Sequence, residues 1–432
     1  MRRSIGAVLT CAAVATAVAG CGSSSSNSGS GSSGGSGGKT ATLTWWNNAT
    51  SGGLLNTWNQ AVKAFHAAHP GVVIKNVPIQ NEELQNTKEP AALQSGQIAD
   101  IFQQWGGGRE ASQIDSGELA NLTSVTKSWI GELGARVSAW QVNGQQYGVP
   151  YDLHVVGFWY RKDLFQKAGI TSPPKTLDEL EADDSKLKAA GIVPIAVGSK
   201  DMWPDAFWYE YFAIRDCPSA TIDQAMKSVS LKATCFTTAA QQLRSFIKTN
   251  PFEPGFLGIA AQVGAGSSAG MLGNGKAAME LQGDWEPGTV QPLTSDKNIY
   301  NQLGWFPFPS ISGGAGTPGA VLGGGDGFSC STKAGPACAE FLRYIDSVPV
   351  QKGVAAAAVG LPANPAASSA ITTPGLKTAI AYEKATPYLA TYFDVALPVN
   401  VGTALDSAAA DFFAGQGSDA SIQQAVASAA SK

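Results

Sequence analysis

Eleven tryptophans occur in this chain of 432 residues, and several of them stand next to Asp, Asn, Gln or His. A tryptophan ring stacks on flat apolar surfaces, while carboxylates, amides and imidazoles bind hydroxyl groups in fixed directions. A pyranose ring offers both kinds of surface, an apolar C–H face and a rim of hydroxyl groups. This combination of side chains therefore indicates a sugar site, provided that the fold brings the side chains into one cleft.

The first candidate site residues follow a predicted strand near the start of the folded part. Residues 42–46, Thr-Leu-Thr-Trp-Trp, have the composition of a strand. Neighbouring residues of a strand point to opposite faces, so one tryptophan can be buried while the other faces a ligand. Trp46 is nearer the carboxyl end of the strand, and we expect it to contact ligand together with Asn48. The alternative is that both tryptophans are buried.

A second candidate group consists of Gln103, Gln104 and Trp105, which follow the predicted strand 98–102 and precede three glycines. In α/β folds the ligand crevice lies beyond the carboxyl ends of the strands. Three consecutive large side chains at this position are also unusual for a plain turn. We therefore expect all three side chains to contact the ligand.

Three further segments carry polar or aromatic side chains that suit a cleft. Asp152 and His154 are two residues apart, so on an extended segment they point the same way. Trp203 precedes a proline at a predicted helix start, which would present its ring to the cleft. Asp326 is the only polar side chain of the glycine run 323–327, where a ligand could approach the backbone closely. Alternatively, Asp152 and His154 form a hydrogen bond at a hinge. The glycine run 323–327 could likewise be only a flexible turn.

The sequence offers little support for enzyme chemistry. Residues 266–270 match the G-x-S-x-G pattern of hydrolases with Ser268 as nucleophile, but the acid and the histidine would have to follow it in the chain. His66, His69 and His154 all precede it. A glycoside hydrolase, which needs two carboxylates across the scissile bond, stays open as an alternative. We expect no catalytic residue, no metal site and no cofactor, since the sequence shows no His or Cys cluster.

The first twenty-one residues are typical of an exported lipoprotein. Arg2 and Arg3 precede an apolar run, residues 5–18, which is short for a transmembrane helix but suits a signal peptide. Small residues directly before Cys21 form a lipobox. We therefore expect a signal peptide over 1–20, cleavage before Cys21, and attachment of a lipid to the Cys21 thiol. An ordinary signal peptide with an incidental cysteine is the alternative.

The residues after Cys21 are almost entirely Gly and Ser up to position 38, too polar to bury apolar surface. We expect 21–38 to tether a folded domain, 39–432, to the outer face of the cell membrane. About 400 residues exceed one typical core, so two lobes are expected. The net charge is −4, and −6 once the two arginines of the signal peptide are gone, which argues against nucleic acid as a partner. We expect a monomer.

Four cysteines remain in the predicted folded domain, namely Cys217, Cys235, Cys330 and Cys338. An even number of cysteines outside the cell indicates disulfides. Four cysteines allow three pairings. We favour the local pairing, Cys217 with Cys235 and Cys330 with Cys338, because both loops are short and close within one substructure.

Predicted strands and helices alternate along the chain. Apolar residues at helical spacing over 54–65 follow the first strand, a capping box at 176–179 opens a helix, and Pro336 begins another. No repeat of about 20–50 residues is visible, which argues against a solenoid or a propeller. The alternation predicts an α/β fold with largely parallel sheets.

Six segments, in a particular order and spacing, carry a family resemblance: Leu43–Asn47, Ala99–Phe102, Tyr147–Pro150, Gly157–Asp163, Ser172–Leu180 and Gly275–Trp285. In these segments the chain resembles the extracellular solute-binding proteins that serve oligosaccharide ABC importers, a group that includes maltose-binding proteins. Within that family it is most similar to xylo-oligosaccharide binders of the xylobiose type. The resemblance implies an oligosaccharide ligand, the permease subunits of the importer as partners, and contact with the membrane through the lipid anchor.

The resemblance also implies a periplasmic-binding-protein-like α/β fold, with two lobes, hinge crossovers and a ligand cleft between the lobes. The implied crossovers lie near Pro150–Val155, Trp305–Pro309 and Val348–Gly353. The implied lobes are discontinuous in sequence, with lobe 1 over about 40–151 plus 308–347 and lobe 2 over about 152–307 plus 348–432.

Individual site roles follow from the resemblance as well. Family members carry a stacking tryptophan after the pattern Met-x-x-x-Gly, and Trp285 follows 279–283 here, so Trp285 is implied to stack on the sugar. Gln104 stands where maltose binders have an aromatic ring, and His154 where the family has a sugar-binding carboxylate, so these roles transfer only in part. A secreted glycoside hydrolase and a binder of a different small solute are the alternative functions.

Overall fold

The computed structural model describes residues 41–432, apart from the side chain of Ala135. The predicted signal peptide, Cys21 and the Gly/Ser tether lie outside the described residues. In chain order the strands are β1 (Ala41–Asn47), β2 (Val72–Pro78), β3 (Ile101–Gln104), β4 (Gln141–Val142), β5 (Gln145–Gln146), β6 (Gly148–Pro150), β7 (Asp152–Arg161), β8 (Val193–Ala196), β9 (Ala277–Gly283), β10 (Leu303–Phe306), β11 (Val321–Gly324), β12 (Gly327–Cys330), β13 (Leu361–Pro362) and β14 (Leu389–Thr391).

The helices alternate with these strands, as the sequence predicts. They are α1 (Gly52–Ala68), α2 (Asn81–Glu83), α3 (Glu89–Ser95), α4 (Gly107–Ile114), α5 (Thr123–Thr126), α6 (Lys162–Lys167), α7 (Leu177–Ala189), α8 (Trp203–Asp216), α9 (Ser219–Ser228), α10 (Thr234–Ile247), α11 (Ser268–Gly273), α12 (Glu286–Val290), α13 (Ile299–Gln302), α14 (Pro336–Ile345), α15 (Val348–Ala357), α16 (Pro374–Ala385), α17 (Phe393–Ala396), α18 (Val399–Phe413) and α19 (Ser421–Ala430). The predicted capping box opens α7, and the helix predicted at Pro336 is α14. The helices of residues 41–432 are too short or too polar to span a bilayer.

Lobe 1 is built around a sheet with the strand order β2-β1-β3-β12-β6. β1 runs parallel to β2 and β3, while β12 runs antiparallel to β3 and β6. Alternating burial along β1 turns Trp45 into the core, where its ring meets those of Trp58 and Phe328 edge-on at 5.4 and 5.1 Å between centroids. The helix α1 covers this face because its buried residues recur at helical spacing.

Lobe 2 is built around a second sheet with the order β14-β11-β7-β9-β8, and β10 and β13 also pair with β7. β8 runs parallel to β9 and β11 parallel to β14, but β7 is antiparallel to its neighbours β9, β10 and β11. The α/β class is confirmed, whereas the prediction of largely parallel sheets is wrong for β7 and β12. Both strands follow directly on a passage between the lobes instead of on a helical crossover, so no βαβ unit imposes a parallel direction on them.

Within the described residues the chain passes between the lobes in three places. The first passage lies between Pro150, where β6 ends, and Asp152, where β7 begins. The second lies at Gly325–Asp326, between β11 and β12. The third follows α15, whose residues Val350 and Val354 belong to the lobe 1 core, and precedes β13, which pairs with β7 in lobe 2.

Two predicted crossovers therefore need correction. Trp305 does not lie in a passage, because β10 pairs with β7 and Trp305 is opposite Trp159 in lobe 2. The third passage comes after Ala357 and not within 348–353, because α15 packs on α1. As a result, residues 308–324 belong with lobe 2, and α15 belongs with lobe 1.

The local disulfide pairing is confirmed. Cys217 pairs with Cys235 and joins the end of α8 to the start of α10. Cys330 pairs with Cys338 and joins the end of β12 to α14. Each bridge closes a short loop inside one lobe, so neither bridge restrains a movement of the lobes against each other.

Candidate ligand-binding cleft

A cleft lies between the two lobes, at the passages of the chain. Lobe 1 contributes the turns after β1 and β3, lobe 2 contributes α8 and the turns after β9 and β14, and the passages form the floor. The cleft is thus lined by segments that come directly after strands, as expected for ligand crevices of α/β sheets.

The structure brings most of the predicted site residues together in this cleft and leaves three outside it. The predicted residues that line the cleft are Asn48, Trp105, Asp152, His154, Trp203, Trp285 and Asp326. Trp46, Gln103 and Gln104 do not line it.

The three residues outside the cleft have structural surroundings of their own. Gln104 is fully buried, where its Oε1 accepts from the N–H groups of Trp105 and Gly106 and its Nε2 donates to Gln113. Gln103 is also fully buried, in the interior of lobe 1. Neither glutamine lines the cleft, because β3 extends to residue 104 instead of ending at 102, so only Trp105 follows the strand.

Trp46 is the third residue outside the cleft. It is half-buried beside Lys88, whose ammonium nitrogen lies 4.7 Å from the centroid of its ring. The strand alternation predicts correctly that one tryptophan of the pair is in the core, since Trp45 is fully buried. The face opposite Trp45 is covered by the helical segment 84–95, however, and the cleft begins only at Asn48.

Four aromatic side chains of lobe 2 form one wall of the cleft. Trp285 lies 6.1 Å from Trp203, 6.3 Å from Phe207 and 6.4 Å from Tyr392 between ring centroids. Among the described residues, neither the Nε1 of Trp285 nor the hydroxyl of Tyr392 has a hydrogen-bond partner, although both atoms are buried. Buried donors without a partner are costly, so a ligand that accepts from them would relieve that cost. This wall can therefore both stack on a ring and donate to its oxygens.

Trp285 keeps its position through a glycine. The ring lies so close to Gly283, at the end of β9, that a Cβ on that residue would be 2.1 Å from Cζ3 of the indole. The imidazole of His154 packs edge-on against the same indole at 4.8 Å between centroids. Backbone on one side and an imidazole edge on another thus hold the indole in place.

The floor of the cleft is a cluster of three carboxylates around one imidazole, which we call the Asp–His cluster: Asp152, His154, Asp284 and Asp326. The Nδ1 of His154 lies 2.8 Å from Oδ1 of Asp284, and its Nε2 lies 3.0 Å from Oδ1 of Asp152 and 3.7 Å from Oδ2 of Asp326. Asp284 follows β9, so this contact joins residues 130 positions apart in the chain.

Protonation in the Asp–His cluster follows from burial and from these contacts. Burial lowers the pKa of His154, but the neighbouring carboxylates outweigh burial and raise it well above its ordinary value. Burial raises the pKa of Asp152 to about 7, although the nearby His154 opposes this rise. Burial likewise raises the pKa of Asp284. We conclude that the imidazole is held in its protonated form, with its Nδ1–H bonded to Asp284 and its Nε2 close to Asp152 without a hydrogen bond.

Ligand atoms of Asp152, His154 and Asp326 lie within 4.8 Å of one another, a spacing that a metal ion could also use. A metal would require the neutral imidazole, because a protonated ring nitrogen has no lone pair to donate. Three carboxylates around the ring favour the protonated form instead. The arrangement is therefore accounted for by an ion pair.

The lobe 1 side of the cleft carries mostly neutral polar groups. The Nδ2 of Asn48 donates to Oδ1 of Asn81 at 3.2 Å. The hydroxyl of Tyr151, whose ring stacks on Phe328 at 4.9 Å, lies 3.3 Å from Oδ2 of Asp326. These groups can accept from and donate to hydroxyl groups of a ligand that lies against the aromatic wall.

Contacts between the lobes close the cleft at its edges. The Nε1 of Trp203 on α8 donates to Oε1 of Glu82 on α2 at 3.1 Å. At another edge, Gly107 and Gly108 of α4 approach α17 so closely that a Cβ at Gly108 would be 2.2 Å from the carbonyl oxygen of Ala396. Each of these contacts joins an element of lobe 1 to an element of lobe 2 at an edge of the cleft.

Sequence reasoning missed several lining residues. Phe207 belongs to the core of lobe 2 and lines the cleft as well. Tyr392 and Asp394 follow β14, and the same strand-end rule that locates Trp105 could have found them had that short strand been recognised. Ser268 in the G-x-S-x-G pattern is fully buried and donates to the carbonyl oxygen of Ala261, so its role is structural.

Comparisons with known proteins agree with this geometry. The family described as bacterial extracellular solute-binding protein matches residues 48–352. An uncharacterized ABC transporter extracellular-binding protein of Pyrococcus horikoshii is 27% identical over 320 residues, which cover 71% of this chain and 67% of that protein. A probable sugar-binding periplasmic protein of Mesorhizobium japonicum is 25% identical over 298 residues, which cover 66% of this chain and 66% of that protein.

Two solved structures share the fold over nearly the whole described chain. One comes from work on xylan utilization by the thermophilic bacterium Caldanaerobius polysaccharolyticus. It has a TM-score of 0.82 and 24% identity, and the match covers 89% of this chain and 98% of that chain. The other is a chitin oligosaccharide binding protein with a TM-score of 0.78 and 22% identity, and the match covers 91% of this chain and 99% of that chain. At these identities the likeness shows the two-lobed α/β fold.

Proposed function

The chain belongs to the family of bacterial extracellular solute-binding proteins, and we propose that it captures a xylo-oligosaccharide for an ABC importer. It is of the ABC sugar-importer type, and relatives in this family are binding proteins of transporters rather than enzymes. The glycoside-hydrolase alternative is therefore set aside. The observation that carries the proposal is the aromatic wall of the cleft, where the free donors of Trp285 and Tyr392 lie beside the Asp–His cluster.

Recognition of the sugar follows from the two kinds of surface in the cleft. The apolar face of a pyranose stacks on Trp285, while ring and hydroxyl oxygens accept from the Nε1 of Trp285 and the hydroxyl of Tyr392. Hydroxyl groups on the opposite rim donate to the carboxylates of Asp152 and Asp326. Support for a xylo-oligosaccharide comes from the structural neighbour described in connection with xylan utilization.

Ligand capture proceeds by hinge closure in this proposal. Both disulfides lie within single lobes, so the passages of the chain remain free to bend. A sugar that contacts Asn48 or Trp105 in lobe 1 and Trp285 in lobe 2 stabilises the closed arrangement by its contacts to both lobes. The closed form is then the one that the permease subunits of the importer recognise.

The site of action in this proposal is the outer face of the cell membrane, with Cys21 carrying the lipid. The protein works there as a monomer. To test the anchor, the full chain and a Cys21→Ala variant are expressed in a Gram-positive host, and cells are separated from medium. We expect the full chain to stay with the membrane fraction and to incorporate labelled palmitate, while the variant lacks the label. Equal labelling of both forms would contradict lipidation at Cys21.

The ligand is tested by thermal shift and calorimetry on the purified domain with xylo-, cello-, malto- and chito-oligosaccharides. We expect the largest thermal shift with xylo-oligosaccharides and stoichiometric binding with one ligand per chain. The same mixtures are incubated and analysed for shorter sugars, and we expect none. A larger shift with chito-oligosaccharides would replace the proposed ligand, and turnover products would overturn the assignment as a binding protein.

A further inference from the structure

Acidic side chains outnumber basic ones in the lining of the cleft. Among the described lining residues, Asp152, Asp326 and Asp394 carry carboxylates, His154 carries the one imidazole, and none is Lys or Arg. We propose that the cleft selects its sugar by charge, admitting neutral xylo-oligosaccharides and rejecting those whose uronic acid would lie over the Asp–His cluster. The inference rests on the proposed function, because it concerns the same cleft and the same class of ligand.

The positive charge of His154 is not available to an acidic ligand. Its Nδ1 is hydrogen-bonded to Asp284 at 2.8 Å, and its Nε2 lies 3.0 Å from Asp152 and 3.7 Å from Asp326 without forming a hydrogen bond, so three carboxylates of the protein already surround the imidazole. The Asp–His cluster thus sets three carboxyl groups against a single imidazole, and among the described residues no lysine or arginine lines the cleft beside it. An incoming carboxylate would meet these carboxyl groups in a place where His154 is only 2% exposed and solvent screening is weak.

The arginines near the cleft are also unavailable. Arg109 is 2% exposed, lies over the ring of Trp105, and donates to the carbonyl oxygen of Gln85. Burial lowers the pKa of Arg109, while Asp394 and Glu89 are among the carboxylates that oppose this shift. Its charge therefore balances carboxylates of the protein and does not face the ligand.

A second arginine, Arg136, lies close enough for its charge to act on Asp284 of the Asp–His cluster. The charge of Arg136 opposes the rise in the pKa of Asp284. Its Nη2 forms an ion pair with Oε1 of Glu383, and it is not among the residues that line the cleft. A sugar carboxylate would thus lose its hydration without gaining a partner, and unpaired or like charges in a binding site are strongly rejected.

For recognition in this cleft, the acidic sugar differs from a neutral one by its carboxylate. The hydroxyl groups of a neutral xylo-oligosaccharide can donate to Asp152 and Asp326, which are good acceptors in their ionised form. Xylan fragments occur both as neutral chains and as chains with a glucuronosyl branch, so charge is a meaningful distinction for this class of ligand. The cleft would therefore discriminate against the acidic chain through an unfavourable contact that the neutral chain does not make.

The test uses three ligands that separate charge from shape. The purified domain is titrated calorimetrically with xylotriose, with xylotriose that carries a glucuronosyl branch, and with the same branched sugar after reduction of its carboxyl to a hydroxymethyl group. We expect the first and third ligands to bind with similar affinity and the acidic ligand to bind at least about 100-fold more weakly. Equal binding of the acidic and the reduced branched sugar would overturn the proposal. Rejection of both branched sugars would overturn it as well, since shape alone would explain that result.

Two charge-removing variants link the effect to the Asp–His cluster. Asp326→Asn and Asp152→Asn each remove one carboxylate and keep the size of the side chain. For each folded variant we expect the ratio of the affinities for the reduced and the acidic branched sugar to fall by roughly tenfold. We call this affinity ratio the gap. Glu340→Gln, which removes an exposed carboxylate that does not line the cleft, is the matched control and should leave the gap unchanged. An unchanged gap in both cluster variants would show that Asp152 and Asp326 do not cause the discrimination against the acidic sugar.

The experiment gives different results if the proposed ligand is wrong and if the proposed selection by charge, here called the charge rule, is wrong. If xylotriose does not bind, the proposed ligand is wrong. The neutral sugar with the largest thermal shift is then compared with its form oxidised at C6, and equal affinities in that pair would overturn the charge rule itself.

Discussion

Replacing Gly283 by alanine tests where the ring of Trp285 lies without removing the ring. A Cβ on residue 283 would be 2.1 Å from Cζ3 of the indole, while packed carbon atoms lie about 3.5–4.0 Å apart. The indole would therefore have to move by about 1.5 Å. Binding sites tolerate displacements of only about 0.5 Å before contacts are lost. We expect Gly283→Ala to weaken sugar binding by roughly 10–100-fold, since both the stacking and the Nε1 contact shift.

The assay must separate lost binding from lost folding. Overpacking of this kind destabilises a protein by about 1–3 kcal/mol, which lowers the melting temperature but leaves a domain of this size folded. Calorimetry measures the affinity, and circular dichroism with thermal melting measures the fold. Gly131→Ala is the matched control, because a Cβ on Gly131 would have no atom within 4 Å. The control should keep the affinity of the parent protein.

One outcome would refute this placement of the indole. A folded Gly283→Ala variant with unchanged affinity would show that the position of Trp285 does not matter to the ligand. Trp285→Ala, measured in parallel, should reduce affinity at least as much as Gly283→Ala, since it removes the stacking surface altogether. A smaller effect of Trp285→Ala would likewise show that the ring does not contact the sugar.

Three other results are expected. Small-angle scattering should show a smaller radius of gyration at saturating ligand, and an unchanged radius would count against hinge closure. Trp203→Phe should weaken sugar binding by about 3–10-fold, because it removes the 3.1 Å hydrogen bond to Glu82 that joins the two lobes. Unchanged affinity of that variant would show that this bond does not support the closed form. Glu110→Gln should flatten the pH dependence of the melting temperature between about pH 5 and 8, and an unaltered slope would contradict the protonation argument.

The sign of the Glu110 effect follows from its burial in lobe 1. Burial raises the pKa of Glu110 from 4.5 to about 8, so the folded state retains a proton that the unfolded state releases. Its contribution to stability is complete below about pH 4.5 and is lost as the pH rises towards 8. The shift corresponds to at most roughly 5 kcal/mol. Glutamine has the same shape and does not titrate, so its contribution is constant.

The general class of the site was predictable from residue types. Asp152 and His154 were placed on one face of an extended segment by periodicity, and they lie together in the structure because β7 is extended there. Trp105 and Trp285 were predicted from their positions after strands or motifs, and both line the cleft. The strand-end rule works since it depends only on chain direction within a sheet.

Gln103 and Gln104 lie outside the cleft because of a strand boundary. The sequence predicts a strand that ends at 102, while pairing with β12 extends β3 to 104 and buries both glutamines. The partner strand, β12, lies more than two hundred residues further along the chain. Local composition carries no information about that partner, so it cannot locate the last paired residue.

Some features can be predicted from local sequence patterns alone. These are the lipobox at Cys21, the Gly/Ser tether and the alternation of helices and strands. The local disulfides belong with them, because loops of 18 and 8 residues bring their ends together whatever the rest of the chain does. Only the tertiary structure decides that Asp284 holds His154, that the second passage lies at Gly325–Asp326, and that the described lining of the cleft contains no lysine or arginine. These features depend on contacts between distant segments, whose register is set by packing of the whole sheet and not by any one stretch of sequence.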